Sequence, residues 1–395
     1  MRSEVAHTTP GLRLLEGVKV VSLEQFIAGP YCTSMLADAG ALVTKIERPG
    51  SGDPRRSYDP LVGEGGDAIS GGFASYNRGK RSVELALNTP GGIAEFERMI
   101  TDADVLVCNL RPGSLDRMGL SPSALRERYP RLIVCEITGF GATGGEAAQW
   151  PAFDSVIQGM SGFASLVGDA DGPPTLVPMG TTDLLTAVYS AIGILMALVN
   201  RERTGDGSHV DAAMLDITAA FLERPLTLHE FTGDVPSRGI DRFSPVGMFR
   251  AGDGGWLSIV IPTDDMWQRC AEALGRPELV THPDFDTVLK RADGMQDRVI
   301  PAFEAWAVNM TRTDAADALR AVGQPVGIVQ DIAEVRANPQ LEHRGLFVPM
   351  VDEGARRDDG TPFALTRLPL LFDGKGAAPG PVPRLGEHNI EYGVQ

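Results

Sequence analysis

The chain has 395 residues, of which 43% are hydrophobic and 22% are charged, and its formal net charge is −16 at pH 7. This composition is typical of a soluble globular protein, and the length favours two domains over a single core. Because nucleic-acid binding needs a basic surface, the acidic balance excludes nucleic acid as a partner. A ligand that carries phosphates would need a local cluster of basic side chains.

The cysteines, the histidines and the hydropathy pattern further limit the class of protein. The cysteines Cys32, Cys108, Cys135 and Cys270 lack metal-site spacing and indicate reduced thiols in a cytoplasmic protein. The histidines are dispersed, so no metal site is predicted. The N-terminal residues show no signal-peptide pattern, and the longest apolar run, 184–199, is too short and interrupted to span a bilayer comfortably. We therefore expect a soluble protein with no membrane partner.

Apolar runs and helical patterns alternate in the first part of the chain. They predict strands at 18–23, 42–46, 82–87, 105–108 and 132–137, and helices at 30–39, 90–100 and 122–128. Strands separated by helices favour an α/β fold with a mostly parallel, Rossmann-like sheet. The first strand–helix turn, EQFIAGPYCTSM, has one glycine where dinucleotide binding needs three, which argues against an NAD-dependent dehydrogenase.

The second part of the chain predicts a smaller unit. A polar segment with Pro and Gly at 233–245 marks a boundary, and it precedes a strand at 256–261 and helices near 267–274, 299–309 and 313–322. The tail is rich in Pro and Gly and has few periodic segments. We expect a large domain that begins with residues 1–222, a small α/β domain at 223–330 and a C-terminal segment at 331–395.

Asp183 is the strongest candidate for chemistry. It follows a small polar turn, 180–182, and stands at the start of a long apolar helix. The helix dipole and the free amides of the first turn would stabilise its charged form and lower its pKa. An oriented anionic carboxylate is what covalent acyl chemistry on an aspartate requires. The alternative is structural, because Asp at a helix start is usually a cap.

Several separated motifs, in matching order and spacing, resemble the class III (CaiB/BaiF) CoA-transferases. That family includes formyl-CoA transferase, carnitine CoA-transferase and alpha-methylacyl-CoA racemase. The matching pieces are LEGVKVVSLEQFIAGPYCTSMLADAGALVTKIERPGSGDPRR, NRGKRSVELALNTPGG, ADVLVCNLRPGSLDRMGL, the helix that begins near Asp183 with RERTGDGSHVDAAMLD after it, and GEHN near the end.

The resemblance implies a fold, an assembly and a reaction. The large domain would be Rossmann-like and completed by the returning C-terminal segment, and two subunits would form an interlocked homodimer. Asp183 falls on the position of the catalytic aspartate, which accepts an acyl group from an acyl-CoA as a mixed anhydride. It then carries CoA as a thioester before passing it to a carboxylic acid. The reaction would need no metal and no cofactor beyond coenzyme A itself, which is a substrate.

The resemblance also marks positions for coenzyme A. Arg48, Asn109 and Arg117 match contacts to its phosphates, and open α/β sheets bind ligands at such strand ends. Arg111 is a further candidate for a phosphate, and the run YNRGKRS (76–82) is interpreted as a basic patch near the CoA entrance. The remaining candidate positions are Ile27 and Ala28 beside the pantetheine, Leu85 and Asn88 near the adenine, and Leu110.

A second acidic residue decides between branches of the family. Asp154 falls on the position of an active-site acid, with Gln158 four residues later on the same helical face; a plain helix cap after Pro151 is the alternative. The racemase branch places proton-transfer groups where this chain has Phe153 and Arg250. Phenylalanine holds no exchangeable proton and arginine stays charged, so acyl transfer is favoured over racemisation.

The substrates are less determined. The glycine-rich loop of formyl-CoA transferase is replaced by FSPVGMF (243–249), which argues against oxalate and formyl-CoA. The segment from SLEQ to IERPGSGDPRRSYD looks closer to members that act on small dicarboxylic acids such as succinate, mesaconate or citramalate. A racemase-like isomerase and a non-catalytic CoA-binding protein remain as alternatives.

Overall fold

The computed structural model describes residues 12–63, 68–239, 245–352 and 354–394. The chain divides into two compact units. The large unit comprises Met1–Ser165, Thr175–Leu226 and Pro339–Gln395, and the small unit comprises Leu166–Pro174 and Thr227–Asn338. The short excursion at Leu166–Pro174 has no counterpart among the boundaries expected from the sequence.

Strands and helices follow one another along the chain from Lys19 to Thr232. In chain order these elements are β1 (Lys19–Leu23), α1 (Ala28–Asp38), β2 (Leu42–Glu47), β3 (Leu61–Val62), β4 (Ile69–Ser70), α2 (Gly71–Asn77), β5 (Arg81–Glu84), α3 (Pro90–Thr101), β6 (Val105–Cys108), α4 (Ser114–Arg117), α5 (Pro122–Arg128), β7 (Ile133–Thr138), α6 (Asp154–Met160), α7 (Phe163–Leu166), α8 (Thr181–Thr204), β8 (His209–Ala213), α9 (Met214–Phe221) and α10 (Glu223–Thr232).

Six of these strands form one parallel sheet in the order β5-β2-β1-β6-β7-β8. The central strands are apolar and buried along their whole length, as expected for a sheet covered on both faces. Neighbouring positions alternate between the two cores. Val105 and Val107 face the core that includes α1 and α8, whereas Leu106 and Cys108 face the core that includes α3. The α/β fold predicted from the alternating pattern is confirmed.

Helix α8 is longer than the apolar run 184–199 suggested. Its 24 residues have a mean hydropathy of 1.8 in the most apolar window, so length and composition alone would let it cross a membrane. In the structure one face of the helix is buried and packs against α1 and β8. Polar residues on that face are satisfied within the helix, since Thr186 and Ser190 donate hydrogen bonds to carbonyls one turn earlier, at 2.7 and 2.8 Å. Helix α8 is therefore a core helix of the large unit.

The small unit is built on an antiparallel sheet in the order β11-β10-β9. Its core gathers Phe249, Leu257, Trp267 and Phe303, all of which are buried. Beyond α10, its elements are β9 (Val246–Arg250), β10 (Trp256–Val260), α11 (Asp264–Ala273), α12 (Val288–Asp293), α13 (Ile300–Ala307), α14 (Arg312–Ala321), β11 (Val326–Ile328) and α15 (Ile332–Arg336).

The C-terminal segment lies on the edge strand β5 of the large sheet. It contains α16 (Pro339–His343), β12 (Phe347–Pro349) and β13 (Ala364–Thr366). Near the end, the His388 amide donates to the carbonyl of Ser82 at 3.0 Å, and the Asn389 side-chain oxygen accepts from the Glu84 amide at 2.9 Å. These contacts cover backbone groups of a strand that would otherwise be an open edge.

The predicted elements correspond to observed ones with small shifts at their ends, where helices fray. The strand predicted at 105–108 and the helix at 122–128 have the observed bounds of β6 and α5. The sequence pattern did not predict β8. That strand is at the other edge of the sheet and is only half-buried over His209–Asp211, so it lacks the apolar run by which the central strands were recognised.

Candidate active site

The parallel sheet has a switch point between β1 and β6. From β1 the chain adds β2 and then β5 on one side, whereas β7 and β8 extend the sheet beyond β6 on the other. Open α/β sheets bind ligands in the crevice at the carboxyl ends of the strands at such a point. The turn from β1 to α1, residues 24–27, and the first residue after β6, Asn109, both lie there.

Asn109, which follows β6, is hydrogen-bonded to the turn between β1 and α1. Its side-chain oxygen accepts a hydrogen bond from the amide of Gln25, and its side-chain nitrogen donates to the carbonyl of Gln25, both at 2.8 Å. Both polar ends of the side chain therefore have backbone partners. In this arrangement Asn109 positions the β1–α1 turn, in which Phe26 adopts a left-handed φ of 65° and Ile27 precedes the first residue of α1.

Asp183 is the third residue of α8, and its side chain is half-buried. The two residues before the helix, Met179 and Gly180, have left-handed φ values of 83° and 67°. A Cβ at Gly180 would lie 2.9 Å from Ile27 Cδ1 and 3.4 Å from Asp183 Oδ2. Glycine therefore allows both the left-handed conformation and the close approach of the start of α8 to the β1–α1 turn. Two predicted site residues that are far apart in sequence, Ile27 and Asp183, come together here.

Asp154 caps helix α8, although it belongs to α6. Its Oδ1 accepts from the backbone amide of Thr182 at 2.6 Å and from the Thr182 hydroxyl at 2.8 Å, and its Oδ2 accepts from Gln158 at 2.6 Å. The Gln158 side chain in turn donates a hydrogen bond to the carbonyl of Val177 and accepts one from its amide. Val177 belongs to the segment that leads to Asp183. Asp154 therefore lies beside the first turn of α8, which also carries Asp183.

The expected direction of the Asp183 pKa is wrong. Burial raises the pKa of Asp183 to about 7, with the negative charge of Asp154 adding to the rise and Arg55 opposing it. The helix start was expected to lower this pKa through amide hydrogen bonds. Asp154 takes the amide of Thr182 instead, and the Asp183 carboxylate accepts no hydrogen bond from any residue that the structure describes. Loss of water without a compensating donor favours the neutral acid.

Arg55 and Tyr76 are two further side chains near Asp183. Arg55 lies in the 3-10 turn Pro54–Ser57, and its Cζ is 5.1 Å from the centre of the Tyr76 ring. Burial raises the pKa of Tyr76, Arg55 lowers it, and the charge of Asp183 raises it again. The three groups thus share one electrostatic environment.

Beneath the β1–α1 turn is a network of fully buried charges. Lys80 donates to Glu24 at 2.7 Å, Lys45 donates to Asp53 at 2.7 Å, and Thr33 also donates to Glu24 at 2.8 Å. Burial lowers the pKa of Lys80 to about 8 even though Glu24 favours its charged form. Removing one partner of such a pair would leave an uncompensated buried charge, which is strongly destabilising.

The basic patch interpreted from the run 76–82 is therefore wrong. Lys80 and Arg78 are buried, and each is paired with a carboxylate, Arg78 with Asp38 at 2.8 Å. Arg81 pairs with Glu391 of the C-terminal segment at 2.7 Å. The three charges hold the large unit together and do not form a surface that would attract phosphates.

Asp53 joins the charge network to the crevice. Besides Lys45, it accepts a hydrogen bond from the Arg55 amide at 3.0 Å and a longer one from the Phe26 amide at 3.4 Å. One buried carboxylate thus links the turn that carries Arg55 to the turn that carries Ile27. Sequence reasoning missed Asp53 and Arg55, because the segment GSGDPRR reads as a solvated loop until its fold is known.

The other predicted coenzyme A positions follow the same ends of the strands. Ala28 is buried at the start of α1, Leu85 is buried after β5, and Leu110 packs against the core beside β6. The polar candidates Arg48, Asn88, Arg111 and Arg117 are exposed. Arg117 donates to Ser114 at 2.9 Å, whereas the guanidinium groups of Arg48 and Arg111 have no partner among the described residues.

The structure also shows what surrounds Phe153 and Arg250, the two positions expected to separate transferases from racemases. Phe153 is exposed and its ring meets that of Phe26 edge to face, with 5.7 Å between centres. Arg250 lies in the small unit, above the ring of Trp256. In the segment predicted to replace the glycine-rich loop, residues 243 and 244 lie outside the described residues, and Val246–Arg250 forms β9.

The chain is similar to known proteins over nearly its whole length. The chain is 34% identical over 386 residues to succinate–glutarate CoA-transferase of Agrobacterium fabrum, a match that covers 95% of this chain and 94% of the relative. It is 35% identical over 388 residues to succinyl-CoA:mesaconate CoA-transferase of Haloarcula hispanica, with 95% of each chain covered. It is 36% identical over 379 residues to acetyl-CoA:oxalate CoA-transferase of Acetobacter aceti, which covers 94% of this chain and 93% of the relative.

A solved structure of a CaiB/BaiF family protein from Brucella suis superposes with a TM-score of 0.82 at 30% identity. That match covers 96% of this chain and 98% of the other. Residues 15–389 match the family described as CoA-transferase family III. The resemblance inferred from the motifs is thus confirmed, and the chain belongs to CoA-transferase family III and is a CoA-transferase.

Proposed function

We propose that this enzyme transfers CoA between small dicarboxylic acids, with Asp183 as the nucleophile. The observation that carries the proposal is the state of the acidic side chains around the crevice. Glu24, Glu47, Asp53 and Asp154 all accept hydrogen bonds from neighbouring groups. Asp183 accepts none from the described residues. Paired carboxylates serve the structure, whereas an oriented carboxylate without a partner is available for chemistry.

The first half of the reaction would load CoA onto the enzyme. An Asp183 oxygen attacks the thioester carbonyl of the donor, the carbon–sulfur bond breaks, and CoA leaves as a thiolate from a mixed anhydride. The thiolate then attacks the Asp183 carbonyl of the anhydride and releases the donor acid. The product is an aspartyl-CoA thioester, and each step exchanges one activated acyl bond for another.

The second half would reverse these steps with a different acid. The acceptor carboxylate attacks the aspartyl-CoA thioester and expels CoA thiolate, which forms a new mixed anhydride. The thiolate then attacks the acceptor carbonyl, so that the new acyl-CoA leaves and Asp183 is restored as a carboxylate. The sequence of steps requires water to be excluded, because an anhydride or thioester exposed to water would hydrolyse.

The surroundings of Asp183 support this role. With a pKa of about 7 it is a more basic carboxylate than ordinary Asp, yet a large fraction is deprotonated at neutral pH. In the first turn of α8 only the amide of Thr182 donates to Asp154. The amides of Thr181 and Asp183 have no partner among the described residues, and such helix-start donors are suited to stabilise the oxyanion of a tetrahedral intermediate.

Coenzyme A is proposed to lie along the carboxyl ends of β1, β2, β5 and β6. Arg48, Arg111 and Arg117 are exposed there and supply positive charge for its phosphates on an otherwise acidic protein. Ile27 and Ala28 would contact the pantetheine beside Asp183. The further contacts are proposed for Leu85, Asn88, Asn109 and Leu110, and a direct active-site contact for Asp154.

The substrate class is supported by the relatives. Succinate, glutarate, mesaconate and oxalate, which appear in their names, are small dicarboxylic acids, whereas the name of the oxalate enzyme also gives acetyl-CoA, the thioester of a monocarboxylic acid. The oxalate enzyme also keeps oxalate in the set of acceptors to be tested, although the missing glycine run argues against it. The broader proposal is CoA transfer between two members of this class.

A cytoplasmic, interlocked homodimer is proposed as the assembly. The outer face of α8 exposes apolar side chains on successive turns, including Val188, Ile192, Leu195, Met196 and Val199. A contiguous apolar face on a core helix is typical of a surface covered by another chain. A second copy of the chain is the partner implied by the family resemblance.

The nucleophile is tested by Asp183→Ala together with chemical trapping. Loss of a covalent nucleophile costs several orders of magnitude in rate, so the variant should lose transfer while it still binds CoA. Hydroxylamine added during turnover should convert Asp183 of the wild type into a hydroxamate, which peptide mass spectrometry detects. Retention of a tenth of wild-type turnover in the variant, or hydroxamate on another residue, contradicts the assignment.

A further inference from the structure

Arg55 holds an unused pair of hydrogen-bond donors at the edge of the site. Its Nε donates to the carbonyl of Gly72 at 2.9 Å, whereas its two terminal nitrogens make no hydrogen bond or ion pair with any described residue. The neighbouring Arg56 differs, because its guanidinium donates hydrogen bonds to both carboxylate oxygens of Glu47, at 2.6 and 2.9 Å. Arginine carries a fixed fork of donors that matches a carboxylate. The Arg55 fork is thus available for a ligand.

The orientation of this fork is set by its surroundings. The bond to Gly72 fixes the Nε edge of the guanidinium, and the rings of Tyr58 and Tyr76 lie 5.5 and 5.1 Å from Cζ. Gly72 adds a steric condition, since a Cβ there would be 3.0 Å from Arg55 Nη2. A guanidinium close to two aromatic rings is partly shielded from water, which strengthens its attraction for an anion.

Arg55 is also near enough to the reacting group to act on it electrostatically. Asp53 accepts hydrogen bonds from both the Arg55 amide and the Phe26 amide, which holds the Arg55 turn against the turn that carries Ile27. The positive charge of Arg55 acts on Asp183 and lowers its pKa, although the two side chains form no ion pair. A substrate that reacts at Asp183 through one carboxylate and carries a second one brings another negative charge within reach of this electrostatic influence.

We propose that the terminal nitrogens of Arg55 bind the second, non-reacting carboxylate of a dicarboxylic substrate. The proposal rests on the proposed function, and it adds the residue that makes the enzyme prefer dicarboxylic over monocarboxylic acids. A bidentate arginine–carboxylate pair is both strong and directional. Binding the distal carboxylate orients the proximal one toward the carbonyl on Asp183, which accelerates the transfer.

The test compares glutarate with pentanoate, which has a methyl group in place of the second carboxylate. In a ping-pong reaction, kcat/KM for the acceptor reports only the half-reaction of the loaded enzyme, in which Asp183 is a thioester and has no proton to exchange. We expect Arg55→Gln to lower kcat/KM for glutarate about ten- to a hundredfold and to leave the value for pentanoate within about threefold. If pentanoate reacts too slowly, its competitive inhibition constant against glutarate replaces its kcat/KM.

Two further variants separate this role from a structural one. Gly72→Ala introduces a Cβ against Nη2 and disturbs the fork without removing it, so it should reduce the preference for glutarate in the same direction but less. Arg320→Gln changes an exposed arginine of α14 that pairs with Asp317, and it should leave both acceptors unchanged. Melting temperatures show whether each variant is folded.

The outcomes distinguish the two levels of the proposal. Equal losses for glutarate and pentanoate in Arg55→Gln would overturn the role of Arg55 as the distal-carboxylate ligand while leaving transfer through Asp183 intact. Weaker binding of CoA by the folded variant, measured by titration, would also overturn it and assign the fork to a phosphate. Failure of hydroxylamine trapping on Asp183 concerns the proposed function instead.

Discussion

Replacing Asp183 by asparagine should stabilise the protein at neutral and alkaline pH while it abolishes turnover. The change removes a half-buried carboxylate that has no hydrogen-bond donor among the described residues and lies near the negative charge of Asp154. Asparagine has nearly the same shape and carries no charge. The variant therefore isolates the free-energy cost of ionising Asp183 in the folded protein.

The magnitude follows from the pKa of Asp183 in the two states. An unfolded aspartate has a pKa of about 3.9, and that of Asp183 in the folded chain is about 7. The difference, about three units at about 1.4 kcal/mol each, corresponds to a destabilisation of about 4 kcal/mol when ionisation is complete. Below about pH 4 the acid is neutral in both states and costs nothing. Between about pH 4 and 7 only the unfolded state releases the proton, so wild-type stability falls by about 1.4 kcal/mol per pH unit and then levels off.

The assay is equilibrium urea denaturation of wild type and Asp183→Asn between pH 5 and 8.5. Other titrating groups are common to both proteins, so the difference in the free energy of unfolding reports Asp183. That difference should grow in favour of the variant as pH rises and reach a plateau above about pH 7.5. The same substitution at Asp317, an exposed residue of α14, controls for the removal of a carboxylate in general.

A difference in the free energy of unfolding that is the same at every pH would not test the pKa of Asp183, because an asparagine amide can pack differently. The test is how this difference changes with pH. If the stability difference is flat from pH 5 to 8, or if the wild type gains stability relative to the variant as pH rises, then the pKa of Asp183 is not raised and burial does not dominate its environment.

Three further predictions concern the same site and its surroundings. Asp154→Asn removes the negative charge that helps to raise the Asp183 pKa while keeping an acceptor for Thr182, so the rise of donor kcat/KM with pH should move to lower pH; an unmoved or alkaline-shifted profile contradicts the coupling. Arg117→Ala and Arg48→Ala should each weaken CoA binding by roughly ten- to a hundredfold, and equal losses for CoA and 3′-dephospho-CoA in calorimetric titrations would place the affected contact away from the 3′-phosphate. Met196→Lys should lower the yield of the proposed homodimer when the urea-unfolded chain is refolded, as measured by sedimentation, because an interlocked dimer forms this interface only while its chains fold; recovery of the wild-type dimer yield places the interface elsewhere.

The pattern of the amino-acid sequence was sufficient for the architecture and for the candidate nucleophile. Apolar runs such as VLVC at β6 are readily recognised because a central parallel strand is buried on both faces, and the long helix that begins near Asp183 is marked by its apolar run. The edge strand β8 was not predicted, because a partly exposed strand need not consist of apolar residues. Through the family resemblance, the order of the motifs predicts that Asp183, Ile27 and Asp154 belong to one site.

Only the tertiary structure decided how those residues interact. The effect of a helix start on Asp183 is local and visible in sequence, but burial and the charge of Asp154 come from elements distant along the chain, and they reverse the direction of its pKa. In the same way, Lys80 reads as a surface charge until the fold places Glu24 beside it, and Arg55 reads as a loop residue until Gly72 and two tyrosine rings orient it. Sequence periodicity encodes which face of an element is buried. The partner of each buried charge depends on contacts between distant segments, so that information exists only in the folded chain.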